Sequence, residues 1–361
     1  MSTDVPQNTL INDVRLDTFR GTTFSNYKLT EVRKHFILSM SNGKLEPACY
    51  WCAELICSGH YPELWECIFY FMGKHIHIAN PKIPIYLEKR YEIFRNIMNQ
   101  KYFNYELDLR NNDTIRTLFA EIVTIMTLSP KKPSFETLKI DREEEFDMTV
   151  MKERLKAENT DYGQTIFEKD DPKEFFIAIN EFAHHTFGKI ANMQEACYWI
   201  EWMIEFDIIC RKRKQKCTCK RRDVAVDHKH QCDSVWLLWD TLLIFCGESQ
   251  QKKHLLPVLK SLMNLFCVKY STGTPKKRKY FLYFAVELMT ENANLAVDLV
   301  QNKQTLQIVV KKIHDIYKQI KQNEIAPNTE YLFKDVDKNN SLDSSIQKLK
   351  VIESMDFVPR T

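Results

Sequence analysis

The 361-residue chain is 44% hydrophobic and 27% charged, the balance of an ordinary soluble globular protein with enough apolar material for two cores. Its formal net charge is +3, yet residues 210–232 alone carry about +7 (nine Lys or Arg against Asp223 and Asp227), so any nucleic-acid contact has to be local. No uncharged apolar run reaches the roughly 18 residues of a membrane span, and no secretory-signal pattern opens the sequence; the 11 cysteines therefore read as reduced thiols of a cytoplasmic or nuclear protein.

In chain order, residues 1–27 read as a loosely ordered arm. Residues 28–130 follow a helical pattern: Leu45, Ala48, Cys49, Cys52, Leu55 and Ile56 recur at i, i+3, i+4, i+7, i+10 and i+11, one apolar stripe. Residues 131–171 form a charged linker, with one exposed helix expected near 143–157. In residues 172–320, Met193, Ala196, Cys197, Ile200, Met203 and Ile204 take up the same stripe, and 321–361 reads as a loosely ordered tail. Pro62, Pro84 and Pro257 fall where proline favours a first helical turn, and only eight glycines are present. The expected fold is all-α, two tandem helical bundles.

The two bundles read as an internal duplication. Ala-Cys-Tyr-Trp stands at 48–51 and again at 196–199, an offset of 148. LWECIFYFMG (64–73) matches LWDTLLIFCG (238–247) at an offset of 174, so about 26 extra residues, roughly 206–231, are inserted in the second copy. IPIYLEKRYEIF (83–94) pairs with LPVLKSLMNLF (256–266), and LFAEIVTIMT (118–127) with YFAVELMT (283–290).

The insertion holds the first candidate site. It has little apolar material, and Cys217, Cys219, Cys232 and His230, with His228 as the alternative, could supply the four Cys/His ligands of a structural zinc. A mobile solvated loop is the competing reading. Its cations Arg211, Lys212, Arg213, Lys214, Lys216, Lys220, Arg221 and Arg222 form one expected nucleic-acid or partner contact. Lys276, Lys277, Arg278 and Lys279 form a second. They open a helix, where cations oppose the dipole, and that local disfavour points to an anionic partner outside the chain. Cys49, Cys52, Cys57 and His60 have zinc-like spacing, but the second copy has Ile200 in place of Cys52, which reads as core packing. DVDKNNSLDSSI (335–346) imitates a calcium loop but lacks its glycine and its closing glutamate. The three Gly-Lys pairs continue to Leu45, His75 and Ile190, so there is no P-loop, and neither G-x-S-x-G nor H-E-x-x-H occurs.

The block ACYWCAELICSGHYPELWECIFYFMGKHIHIANPKIPIYL resembles a family of uncharacterised helical proteins of large DNA viruses of algae and protists. More remotely, it is similar to the helical collar of clamp-loader-related recombination ATPases, through Ala48-Cys49-Tyr50-Trp51-Cys52, Gly59, Pro62 and Asn80-Pro81. The ATPase module is missing and no catalytic residue carries over. What the resemblance implies is an oligomerising or scaffold-like helical unit near replication or repair machinery. The expected function is a non-enzymatic scaffold or adaptor contacting nucleic acid or replication or transcription machinery through the basic surface of the second copy, in the virus factory of the host cytoplasm or in the nucleus. Its expected partners are DNA, RNA or the proteins of that machinery, with no membrane and no small-molecule substrate. The alternative is a structural or virion-packaged protein without specific nucleic-acid recognition.

Overall fold

In the computed structural model the described residues are 6–13, 17–99, 106–142, 146, 148–214 and 217–324. Lys216, the calcium-loop imitation and nearly all of the expected C-terminal tail lie outside them. Fifteen α-helices, and no strand, occur among the described residues. The first six are α1 (Leu29–Ser41), α2 (Leu45–Cys57), α3 (Tyr61–Phe71), α4 (Ile83–Met98), α5 (Glu106–Arg110) and α6 (Asp113–Leu128). Two short helices follow in the linker, α7 (Met148–Arg154) and α8 (Asp161–Ile166). Then come α9 (Phe176–Phe187), α10 (Met193–Lys212), α11 (Val235–Glu248), α12 (Leu256–Cys267), α13 (Thr274–Lys277), α14 (Lys279–Thr290) and α15 (Lys303–Lys321). None of the described helices is long and apolar enough to cross a membrane.

The helix ends follow from local chemistry. Asn112, Asn192 and Asn302 each accept a hydrogen bond from the backbone N–H three residues on, capping α6, α10 and α15. Pro62, Pro84 and Pro257 occupy first-turn positions of α3, α4 and α12, where a missing N–H costs nothing. α2 stops at Gly59, whose φ of 72° suits glycine alone without strain. There the His60 N–H reaches the Leu55 carbonyl and the Gly59 N–H the Ile56 carbonyl, the paired bonds of a Schellman end.

α2 packs on α1, α3 and α6, and α6 also touches α4. In the second half α9 packs along α10 and against α11 and α14, while α12 lies on α11 and α14. The stripe residues Ala48, Cys49, Cys52, Leu55 and Ile56, and Ala196, Cys197, Ile200, Met203 and Ile204, are all buried. The halves meet where α4 crosses α12 and where residues 72–79 lie on α14. At that junction a side chain on Gly73 would come within 3.1 Å of the Tyr280 Cβ, so any larger residue would have to push the two backbones apart by a few tenths of an ångström.

The N-terminal segment departs from the expected loose arm. Ile11, Phe19 and Phe24 are buried. The Phe24 N–H donates to Ser58 Oγ at 2.7 Å, the Ser25 N–H and hydroxyl donate to buried Glu54, and the Asn111 amide bonds both the N–H and the carbonyl of Ile11. Helix α15, expected within the second bundle, instead covers α2 and α6 of the first, with Ile313, Tyr317 and Ile320 inward. The linker also packs down: Phe146 lies against Trp202 and Phe206, and Arg142 bonds Glu205. Deleting residues 1–27 should lower the unfolding free energy by several kcal/mol, at about 1.5–3 kcal/mol per buried apolar side chain. An unchanged urea midpoint in the truncated protein would show that the segment contributes no packing.

Candidate functional site

The cluster at 276–279 serves the interior as much as the surface. Arg278 is 4% exposed. Its Nη1 donates to the carbonyls of Leu265, Phe266 and Val268, at and just beyond the C-terminal end of α12, and its guanidinium pairs with Glu66 of α3. Those carbonyls have lost helical partners and sit at the negative end of the helix dipole, so a cation satisfies both needs. What is unfavourable for α14 is thus favourable for α12. Lys277 also reaches Glu66, Lys276 pairs with Glu205, and Lys279 with buried Glu201. Sequence reasoning missed these carboxylates, which stand 71 to 212 residues away in the chain.

The described residues of 206–231, the expected insertion, do not project from the helices as an unsupported loop. Arg222, expected at a contact surface, is buried and forms ion pairs with Asp171 and Asp240. Burial works against its charge, but those bonds hold the guanidinium firmly protonated. Asp171 is held below the ordinary carboxylate range against its own burial, whereas burial pushes Asp240 up. Lys220 pairs with Glu168, and Arg211 with Asp207 and Asp233. Backbone bonds from Cys219 to Cys232 and from Arg222 to Gln231 close the segment on itself, and Cys219 and Val224 enter the core.

The expected zinc ligands are not brought together. Cys219 faces the core, while His230 lies 3.3 Å from an Asp233 carboxylate oxygen and packs edge-on against Tyr270. His228 is bonded to Arg221 and Gln231. Cys217 instead lies beside Cys210, Sγ to Sγ 2.9 Å. Among the described residues no group of three or more His, Cys, Asp or Glu side chains could hold a metal ion, so this donor set as arranged does not fit tetrahedral zinc. Core contacts of Cys219 and Val224 and the ion pairs of Arg222 and Lys220 hold this segment against the helices.

Two clefts remain. The first, of about 540 Å³, has a floor of Met203, Ile204, Ile208, Val235, Leu238 and Pro275. Around its rim stand Arg211 and Lys212 from the first basic cluster, Lys276 and Lys277 from the second, and the carboxylates Asp207 and Asp233 that pair with Arg211. Thus residues 65 apart in sequence share one rim. Lys212, Lys276 and Lys277 are exposed, as are Arg213, Lys214 and Arg221 nearby in sequence. The second cleft, of about 450 Å³, adjoins at Lys277 and is lined by Lys34, Ile37, Leu38, Tyr70 and Tyr280 among others. Lys74 stands over both tyrosine rings at 5.4 Å. The tyrosines had no signal in the sequence, because each looks like one more aromatic of a helical stripe.

No protein-family model matches the chain, and no curated protein or solved structure matches it either.

Two measurements check this electrostatic account. Arg278→Met should cost roughly 2–4 kcal/mol, because three carbonyls and Glu66 lose their partner inside the protein. Lys277→Met, at an exposed pair, should cost under about 1 kcal/mol; equal losses would refute the distinction. The second is a pH dependence. Burial would raise the Glu287 carboxyl, but His77 and Lys132 hold it below its ordinary value of 4.5. A carboxyl depressed by folding adds stability above its unfolded value and loses it as pH falls through the folded one. The stability gap between the native protein and Glu287→Gln should therefore narrow as pH drops below 4.5, and a gap independent of pH would contradict it.

Proposed function

We propose that the protein is a non-enzymatic helical scaffold of a large DNA virus that docks nucleic acid along the cation-rimmed cleft of its second half. The observation that carries this reading is the convergence of Arg211 and Lys212 with Lys276 and Lys277 on one apolar-floored cleft. Its neighbour adds Tyr70 and Tyr280 beside Lys34 and Lys277. Cations that follow a phosphate backbone beside aromatic faces suit single-stranded nucleic acid without strong sequence preference. A reducing host compartment, virus factory or nucleus, is where this reading puts the protein.

The scaffold part rests on the duplication. Helices α1, α2, α3, α4 and α6 correspond in order to α9, α10, α11, α12 and α14, and the second helix of each set packs against the first and the last. Trp51 and Trp199 lie at matching places on α2 and α10. The inserted segment falls between α10 and α11, where the first set has only Ser58–His60. A second reading, a structural or virion-packaged protein without specific recognition, draws support from the inward pairing of Arg222 and Arg278.

Anisotropy titrations with labelled single-stranded DNA, RNA and an acidic peptide separate the readings. The triple variant Lys212→Glu, Lys276→Glu, Lys277→Glu should weaken nucleic-acid binding at least tenfold and flatten its salt dependence. Unaltered affinity would favour the structural protein, and tighter binding of the peptide would make the partner an acidic protein.

A further inference from the structure

We propose that Cys210 and Cys217 are a reversible dithiol–disulfide pair, oxidised by a hydroperoxide, that fastens the start of the inserted segment to the end of α10. The two Sγ atoms stand 2.9 Å apart. That separation is shorter than the ~3.8 Å between two thiolates on one tetrahedral zinc with Zn–S near 2.3 Å. A small movement closes it to the ~2.05 Å of a disulfide. The backbone is already turned to bring the two residues together. After α10 ends at Lys212, Arg213 still bonds the Ile209 carbonyl, and Lys214 takes a left-handed φ of 55°, uncommon for a residue with a side chain. Cys217 lies beside the last turns of α10, against Cys210.

The two thiols are unequal. Cys217 is partly exposed, whereas Cys210 is 2% exposed, and burial together with the bond to Cys217 pushes its thiol up to about 12. Cys217 therefore reacts first and Cys210 resolves. The Cys217 thiolate attacks a hydroperoxide oxygen and the O–O bond breaks. Sulfur loses two electrons and becomes a sulfenic acid, and the other oxygen leaves as an alcohol, or as water from hydrogen peroxide. Cys210 sulfur then attacks Cys217 sulfur, the S–O bond breaks, and the Cys210 proton departs with hydroxide as water. With hydrogen peroxide, two thiols and one peroxide give one disulfide and two waters. An external dithiol reverses the reaction through a mixed disulfide.

The experiment uses the full chain treated with hydrogen peroxide, then alkylated, unfolded and digested. The expected result is the loss of two of the 11 thiols, a mass lower by two hydrogens, a peptide joining Cys210 to Cys217, and full recovery with dithiothreitol. Cys217→Ser should abolish the cross-link. Cys210→Ser should leave a sulfenic acid at Cys217, trapped by a 1,3-dione probe. If Cys210→Ser fails to fold, the native peptide map and the exposed-site variant still decide. Cys217 recovered as an alkylated thiol, or joined to Cys219 or Cys232, would overturn the proposal. So would stoichiometric zinc on Cys217 that protects it from peroxide.

Discussion

Arg278 is the residue on which the arrangement of the two halves depends. A guanidinium taken out of water needs its charge balanced and its donors used, or it costs several kcal/mol. The second half supplies the carbonyls of Leu265, Phe266 and Val268, and the first supplies Glu66 and the face of Phe69. Neither half can satisfy it alone. Around it, His77 and Lys132 meet Glu287, Glu88 accepts from Ser261 and Asn264, and Phe69 stands edge-on to Phe281. With Arg278 turned inward, its neighbours Lys276 and Lys277 are left at the surface and form the cleft rim.

Helices were readable because each element states itself locally. Apolar stripes at helical spacing and prolines at first turns both agree with the structure. The N-terminal segment was not readable. Ile11, Phe19 and Phe24 follow no period and are separated by polar residues, and what buries them is a surface built later in the chain. The same holds for charge. Composition shows nine cations between 210 and 232 but not that Arg222 finds Asp171 and Asp240, or that Lys220 finds Glu168.

Cysteine shows both sides of that limit. Cys49, Cys52, Cys57 and Cys67 lie in the core, and burial pushes each thiol upward, so they act as small apolar residues. The zinc-like spacing of Cys49, Cys52 and Cys57 with His60 places the three cysteines in the core. In the insertion, spacing misled in the opposite direction, because it placed Cys217 with Cys219 and Cys232 while the chain turns it back to Cys210. A ligand set read from spacing presumes an extended local path, and Lys214, two residues past the end of α10, already departs from one with a left-handed φ.

Helix α15 closes a loop in the order of assembly. It covers α2 and α6, yet roughly 190 residues separate its C-terminal end at Lys321 from the end of α6 at Leu128. During synthesis at about 5–20 residues per second, the first bundle leaves the ribosome some 10–40 seconds before its cover exists. Over that interval the groove between α2 and α6 faces water, including the surfaces that later receive Ile313, Tyr317 and Ile320. The nascent chain therefore carries a sticky seam that its finished form conceals. A chaperone that holds such seams would matter more to the yield of this protein than to its final stability.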